Sequence, residues 1–322
     1  MGNILIEIQD KLVEEYKNFD KQIKKDISSN VFLVELITRY LLHTKGKQIR
    51  PLLVMLSAKI CGGVNERTYR GASLVEILHT ATLVHDDVVD GADLRRGYPS
   101  LYRIWRSKVA VLMGDYLLSK GLLVAVDNKD YDFLQSITHT VRRMSEGELL
   151  QIGKAKKLDL DIDTYYKIIS DKTASLISTC CEIGAMSSTN NEEIQKKLKE
   201  IGENIGIAFQ IKDDILDFVG SKSGKNKGAD LKEKKFTLPL LYALTKAEKD
   251  EAKKIKYLIN KKNIDSFDTT LDFINKYQGL EYAQNKANEY AERAKKMIFE
   301  VSTNEYAELF AKLIDFIVTR NK

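Results

Sequence analysis

The sequence predicts an all-α chain, and three observations carry that expectation. Its 322 residues include only three prolines, Pro51, Pro99 and Pro239, while Leu, Ile, Lys, Glu and Ala dominate, the palette of helix rather than sheet. Apolar residues recur at helical spacing over nearly the whole length. Alternating strand-like runs around Gly-containing hairpin turns are missing. A chain of this length makes either two domains or one large bundle, and without a dividing linker or fixed-period repeat the expectation is a single domain over 1–322.

Taken in order, the helical periods run through about 2–24, 30–43, 51–62, 66–90, 100–126, 131–154, 162–186 and 191–219. Pro51 fixes the first turn of the third helix, where a missing N–H costs nothing. The helices that lead to Asp90 and to Gly220 are near-continuously apolar, as in Leu74-Val75-Glu76-Ile77-Leu78 and Ile205-Gly206-Ile207-Ala208-Phe209, so they belong at the centre of a bundle. Residues 221–228 break into Ser, Gly, Lys and Asn, which is loop chemistry. The segment 241–322 reads as further amphipathic helices with no recognisable chemistry.

Composition narrows the function classes. The 51 Lys and Arg against 46 Asp and Glu leave +5, too evenly mixed to imply a nucleic-acid partner. The N-terminal stretch 1–25 is studded with charge and has no signal-peptide core. No stretch reads as the roughly 20 apolar residues of a transmembrane segment. Cys61, Cys180 and Cys181 lie in apolar helical contexts without metal or disulfide spacing, and a reducing cytoplasm is the expected location.

Two acidic clusters share one spacing: Asp86, Asp87 and Asp90 end at Gly91, and Asp213, Asp214 and Asp217 lead to Gly220. On a helix, positions i and i+4 lie one turn apart on the same face. Carboxylates there repel one another and face the negative end of the helix dipole, so a cation is called for. Hard oxygen donors suit Mg²⁺, which bridges carboxylates to phosphates, and no His or Cys set offers a zinc site. One such triplet alone reads first as a solvated helix end; two, on the most apolar helices of the chain, favour metal-assisted diphosphate chemistry.

A diphosphate also needs Lys and Arg. Lys47 and Arg50 precede and open the helix fixed by Pro51, Arg95 and Arg96 follow Asp90, and His79 sits two turns before Asp86. Arg95-Arg96 as a surface pair, His79 as a core histidine and the lysines of 222–235 as a solvated loop are the plainer readings; their shared placement beside the carboxylates lifts the functional one.

These residues resemble the trans-isoprenyl diphosphate synthase, or polyprenyl synthetase, family. Residues 80–90 with Arg95-Arg96-Gly97 are similar to its first aspartate-rich motif, and 206–217 to its second. Gly46-Lys47-Gln48-Ile49-Arg50-Pro51, Asp171-Lys172-Thr173-Ala174, 224–231 and Lys235-Phe236-Thr237-Leu238-Pro239 match in the family's order, so the resemblance covers about 45–240. It implies an isoprenoid-synthase bundle around a central cavity, with Mg²⁺, three per active site, on Asp86, Asp90 and Asp213, supported by Asp87, Asp214 and Asp217. It further implies that Arg95, Lys172, Lys225 and Lys235 contact an allylic diphosphate, and that Lys47, Arg50, His79 and Arg96 hold isopentenyl diphosphate. Thr173 and Gln210 would lie near the developing allylic cation, and the diphosphate would serve as base. Where the family often has Gly-Gly-Lys this chain has Lys45-Gly46-Lys47, and Lys234-Lys235 where it often has Gly-Lys, so the assignment between Lys234 and Lys235 stays open.

The resemblance also bears on product length. Bulky residues four or five positions before the first cluster stop chain growth in the family; here they are Thr82 and Ala81, which predicts an all-trans product longer than farnesyl, with Leu78 and Leu74 as candidate tunnel lining or plain core. A geranylgeranyl or shorter-chain synthase is the alternative. A terpene cyclase would lack the second cluster and the Lys47, Arg50 and His79 set, and a non-catalytic synthase subunit would lose one cluster. A homodimer is the expected assembly, with no nucleic-acid partner.

Overall fold

The computed structural model describes residues 3–44, 46–157, 160–220, 236–260 and 266–320. Helices dominate: α1 (Asn3–Lys11), α2 (Val13–Asp26), α3 (Phe32–His43), α4 (Ile49–Cys61), α5 (Glu66–Val89), α6 (Leu101–Asp127), α7 (Tyr131–Lys157), α8 (Ile162–Ile169), α9 (Ser175–Ser188) and α10 (Glu192–Val219). After 236 come α11 (Leu238–Lys246), α12 (Lys249–Asn260), α13 (Ser266–Lys276), α14 (Gly279–Val301) and α15 (Glu305–Thr319). The expected helix 2–24 is two, divided at Leu12, and 162–186 is interrupted by a π-helical turn at Ser170–Ala174.

Helix ends follow local chemistry. Asn65 accepts from the backbone N–H of Thr68 while the Thr68 hydroxyl accepts from the N–H of Asn65, a capping box that starts α5. Ser100 caps α6 and Asp161 caps α8 in the same sense, through N–H groups three residues on. The end of α5 is a Schellman motif: Ala92 N–H donates to the Asp87 carbonyl at 2.9 Å, Gly91 N–H donates to Val88, and Gly91 sits at φ +60°. That turn fixes where Asp86, Asp87 and Asp90 stand.

The chain divides into two compact units: one of 1–7, 139–179 and 197–322, the other of 8–138 and 180–196. In the second, α5 packs on α2, α4 and α6. A Cβ on Gly121 of α6 would come within 2.9 Å of Leu78, and one on Gly114 would overlap the His85 ring, so α5 and α6 run antiparallel with small residues at the crossings. In the first unit, α11, α14 and α15 pack together, with Ala283, Ala287, Ala291 and Ala294 buried along one stripe of α14.

Two expectations need correction. Leu94–Arg95 pairs antiparallel with Tyr98–Pro99, and the intervening Arg96 and Gly97 both have positive φ, +54° and +82°, as a type I′ hairpin requires. Strands of two residues carry no readable period. Helix α6 is long and apolar enough, by length and composition, to cross a membrane, with 39% of its most apolar window buried in the protein. Its charges cluster at the start, and 109–126 carries only Asp115 and Lys120. Cys180 and Cys181 are fully buried and all three thiols are free; burial pushes Cys61 and Cys181 up to about 12, so none is a poised nucleophile.

Candidate active site

In the unit containing α5, the first acidic cluster separates into two kinds of carboxylate. Asp86 and Asp90, one turn apart, are exposed. Asp87 is 3% exposed and accepts a 2.7 Å hydrogen bond from Arg95 Nε. Burial raises the Asp87 pKa, and the Arg95 guanidinium opposes that without cancelling it. Asp87 therefore anchors the hairpin, and the outer two aspartates face solvent.

Around the same helix the basic set assembles. Arg96 is exposed at the tip of the hairpin, with Gly46 against its guanidinium. Lys47 is exposed, and Arg50 lies in the first turn of α4 with its Nε buried and without a hydrogen-bond partner. Burial lowers the Arg50 pKa, with Glu76 working in the opposite direction. His79 is 7% exposed, its Nδ1 lacks a partner, and its pKa falls well below 6.5 through burial and then through Arg50, Arg96 and Arg95. It is a neutral imidazole at pH 7, able to hydrogen-bond but adding no charge. Ala81 and Leu78 are each 2% exposed and Thr82 is half-buried, its hydroxyl donating to the His79 carbonyl.

The other unit repeats the division. Asp214 is 3% exposed and accepts from the Tyr165 hydroxyl at 2.7 Å, from Gln210 Nε2 at 3.0 Å and from the Leu238 N–H. Asp213 and Asp217 are half-buried. Asp213 accepts a 2.7 Å bond from Arg320, whose guanidinium stacks 4.2 Å above the Phe209 ring. In both clusters the second aspartate is the buried anchor.

The π-helical turn presents the remaining residues. Thr173 donates to Gln210 Oε1 at 2.9 Å, and Lys172 donates to Gln151 and pairs with Glu148. The turn is held by Arg143, which reaches Asp171 at 2.9 Å, Ser170 and Glu203. Gly147 and Gly206 let the flanking helices approach it closely. Such one-turn widenings recur at functional sites because they re-aim side chains without ending the helix. The lysines Lys225 and Lys235 lie outside the described residues.

Sequence reasoning gave no role to Arg143, Tyr165 or Arg320. Arg320 lies in the segment read as having no chemistry, 107 residues from Asp213. Among the described residues no three carboxylate, imidazole or thiolate groups converge as a ready-made metal cage. The donor set nonetheless fits Mg²⁺, which takes one or two carboxylates and completes its shell with water and phosphate oxygens.

A predominantly helical chain with two aspartate clusters, each built on one buried anchor with an arginine beside it, has the equipment of a metal-assisted enzyme of diphosphate esters. Residues 32–274 match the family model of polyprenyl synthetase. The chain is 34% identical over 322 residues to a geranylgeranyl diphosphate synthase of Saccharolobus solfataricus, covering 96% of this chain and 97% of that one. Its fold superposes with a TM-score of 0.92 on a decaprenyl diphosphate synthase of Rhodobacter capsulatus, 30% identical and covering 99% of each chain. It superposes at 0.89 on a polyprenyl synthase of Caulobacter crescentus in complex with calcium and isoprenyl diphosphate, 32% identical and covering 99% and 98%. The chain belongs to the polyprenyl synthetase family, and it is a transferase that elongates prenyl diphosphates. The family's chemistry depends on a divalent metal.

Proposed function

We propose that this enzyme joins isopentenyl diphosphate to an allylic diphosphate with Mg²⁺, three ions per active site, and releases an all-trans product longer than farnesyl. The observation that carries the reading is the repeated division of labour in the two clusters: Asp87 and Asp214 buried as anchors, Asp86 and Asp90 exposed, and Asp213 half-buried against Arg320. Mg²⁺ on those aspartates would neutralise the departing diphosphate. Arg95 and Lys172 add fixed positive charge to the allylic diphosphate, and Lys225 and Lys235 are assigned with them. Lys47, Arg50 and Arg96 hold isopentenyl diphosphate electrostatically, and neutral His79 contributes a directed hydrogen bond. The oxygens of Thr173 and Gln210 turn dipoles toward carbon that becomes positive as the C–O bond breaks. The new carbon–carbon bond forms there, and the proton lost afterwards passes to the released diphosphate.

Relatives span geranylgeranyl to decaprenyl synthases, so length must come from this chain's own residues. Ala81 and Leu78 share the α5 face that meets α6, with Thr82 beside them. Incubating the protein with both diphosphates and Mg²⁺, then resolving products by chromatography, should give chains beyond fifteen carbons, and EDTA should abolish them. The Ala81→Phe variant should shorten them. An unchanged distribution in that variant would remove the tunnel assignment while leaving the condensation intact.

A homodimer is the proposed assembly. Leu112, Leu118, Leu122 and Leu123 of α6 are each between 37% and 58% exposed, an apolar stripe that a second copy would cover. Sedimentation should give twice 36.7 kDa, and Leu112→Lys with Leu122→Lys should shift it to the monomer. A cytoplasmic location is in keeping with the three free thiols.

A further inference from the structure

The widened turn Ser170–Ala174 stands between two hydrogen-bond registers, and Ser175 serves both. Its N–H donates to the Ser170 carbonyl, five residues back, which makes the turn π-helical. Its hydroxyl donates at 2.6 Å to the Asp171 carbonyl, the acceptor that the same N–H would take in an α-helix. A shift of that N–H to Asp171 would therefore return the segment to α. Removing the extra residue of the widening rotates the chain on one side of it by about 100° against the other. Lys172 and Thr173 lie inside the widening, so their direction depends on which register holds.

What favours the π register comes from other helices. Arg143 of α7 donates through Nε to Asp171 at 2.9 Å and through Nη2 to Ser170 at 2.9 Å and to Glu203 of α10 at 3.1 Å. The Ser170 hydroxyl also donates to Glu203, which closes a ring of three side chains from three segments. Ser170 and Asp171 are the first two residues of the turn, and Lys172 and Thr173 are the next two. The planar guanidinium holds several acceptors at fixed angles, as an ammonium cannot. One turn further along α7, a Cβ on Gly147 would lie 3.0 Å from Asp171 Cβ and 3.1 Å from the Lys172 nitrogen, so the backbone there is seated directly on the turn. Lys167, 67% exposed, adds only a 3.3 Å surface pair to Asp171.

We infer that Arg143 is a positioning residue that locks the turn in its π register, and that it sets the aim of Lys172 and Thr173 at the allylic substrate. Arg143 touches no reacting atom; it acts through the two residues that follow its own partners. The consequence for catalysis rests on the roles proposed above for Lys172 and Thr173. Isopentenyl diphosphate is assigned to Lys47, Arg50, His79 and Arg96, none of which belongs to this network, so loss of the clamp should separate the two substrates.

Two measurements on Arg143→Met test this, each made well below the denaturation midpoint of the variant. Amide hydrogen exchange in the peptide spanning 168–176 should quicken about tenfold, because the turn no longer has a preferred register. In steady state the KM for the allylic diphosphate should rise about tenfold and kcat fall about a hundredfold, with the KM for isopentenyl diphosphate within about twofold. Should this variant not fold, Ser170→Ala removes the hydroxyl from the ring and leaves every charge in place; exchange and allylic KM should then each rise about threefold. Unchanged exchange in the folded variant would overturn the inference, and so would equal rises in both KM values. Faster exchange with an unchanged allylic KM would uphold the clamp and count against the roles of Lys172 and Thr173.

Discussion

Asp86→Ala should lower turnover about a thousandfold with little change in the denaturation midpoint. Asp86 is exposed at the last turn of α5, so its removal leaves no buried cavity. The loss would therefore be chemical. Asp213→Ala should cost turnover on the same scale and also lower stability, because the Arg320 side chain, only 13% exposed, loses its 2.7 Å partner. Asp87→Ala should likewise lower stability together with activity, since it strands the Arg95 guanidinium and loosens the hairpin. Steady-state turnover and thermal denaturation, measured on all three proteins, separate these outcomes. Near-normal turnover in Asp86→Ala or Asp213→Ala would sink the catalytic assignment.

The second large effect concerns a residue with no functional group. In Gly206→Val, the new Cβ would lie 2.7 Å from the Ala174 Cβ and inside van der Waals contact with the Ala174 backbone. Backbone cannot yield as a side-chain tip can, so α10 must move away from the π-helical turn, at a cost of about 3 kcal/mol. The Thr173 hydrogen bond to Gln210 joins the same two segments and should be lost with it. Chemical denaturation should show a lower midpoint, and turnover should fall even below the temperature where the variant unfolds. A variant with the stability and turnover of the unmodified protein would mean that the two segments are not held as closely as the structure shows.

Much of this was legible in the chain itself. The periods that predicted helices at 66–90 and 191–219 recur as Glu66–Val89 and Glu192–Val219, because caps and glycines such as Asn65, Gly91 and Gly220 act locally. The acidic clusters were visible for the same reason: residues one turn apart share a face wherever the helix packs. The break at Leu12 and the π-turn at Ser170–Ala174 were not visible, since apolar spacing continues through both while the hydrogen-bond ladder does not. The apolar length of α6 was also underestimated, because the basic residues at its start masked the run 109–126.

The sequence by itself determined the helices, the two aspartate spacings and the supply of Lys and Arg near them, all set by interactions within a few residues. Only the tertiary structure decided which aspartates are available. Asp87 and Asp214 have the same spacing to their neighbours as any aspartate of the motif, and they are removed from solvent by Arg95 and by Tyr165 with Gln210. It likewise decided that Arg320 belongs with Asp213. Burial and long-range pairing depend on which helix lies alongside, and no local pattern encodes that choice.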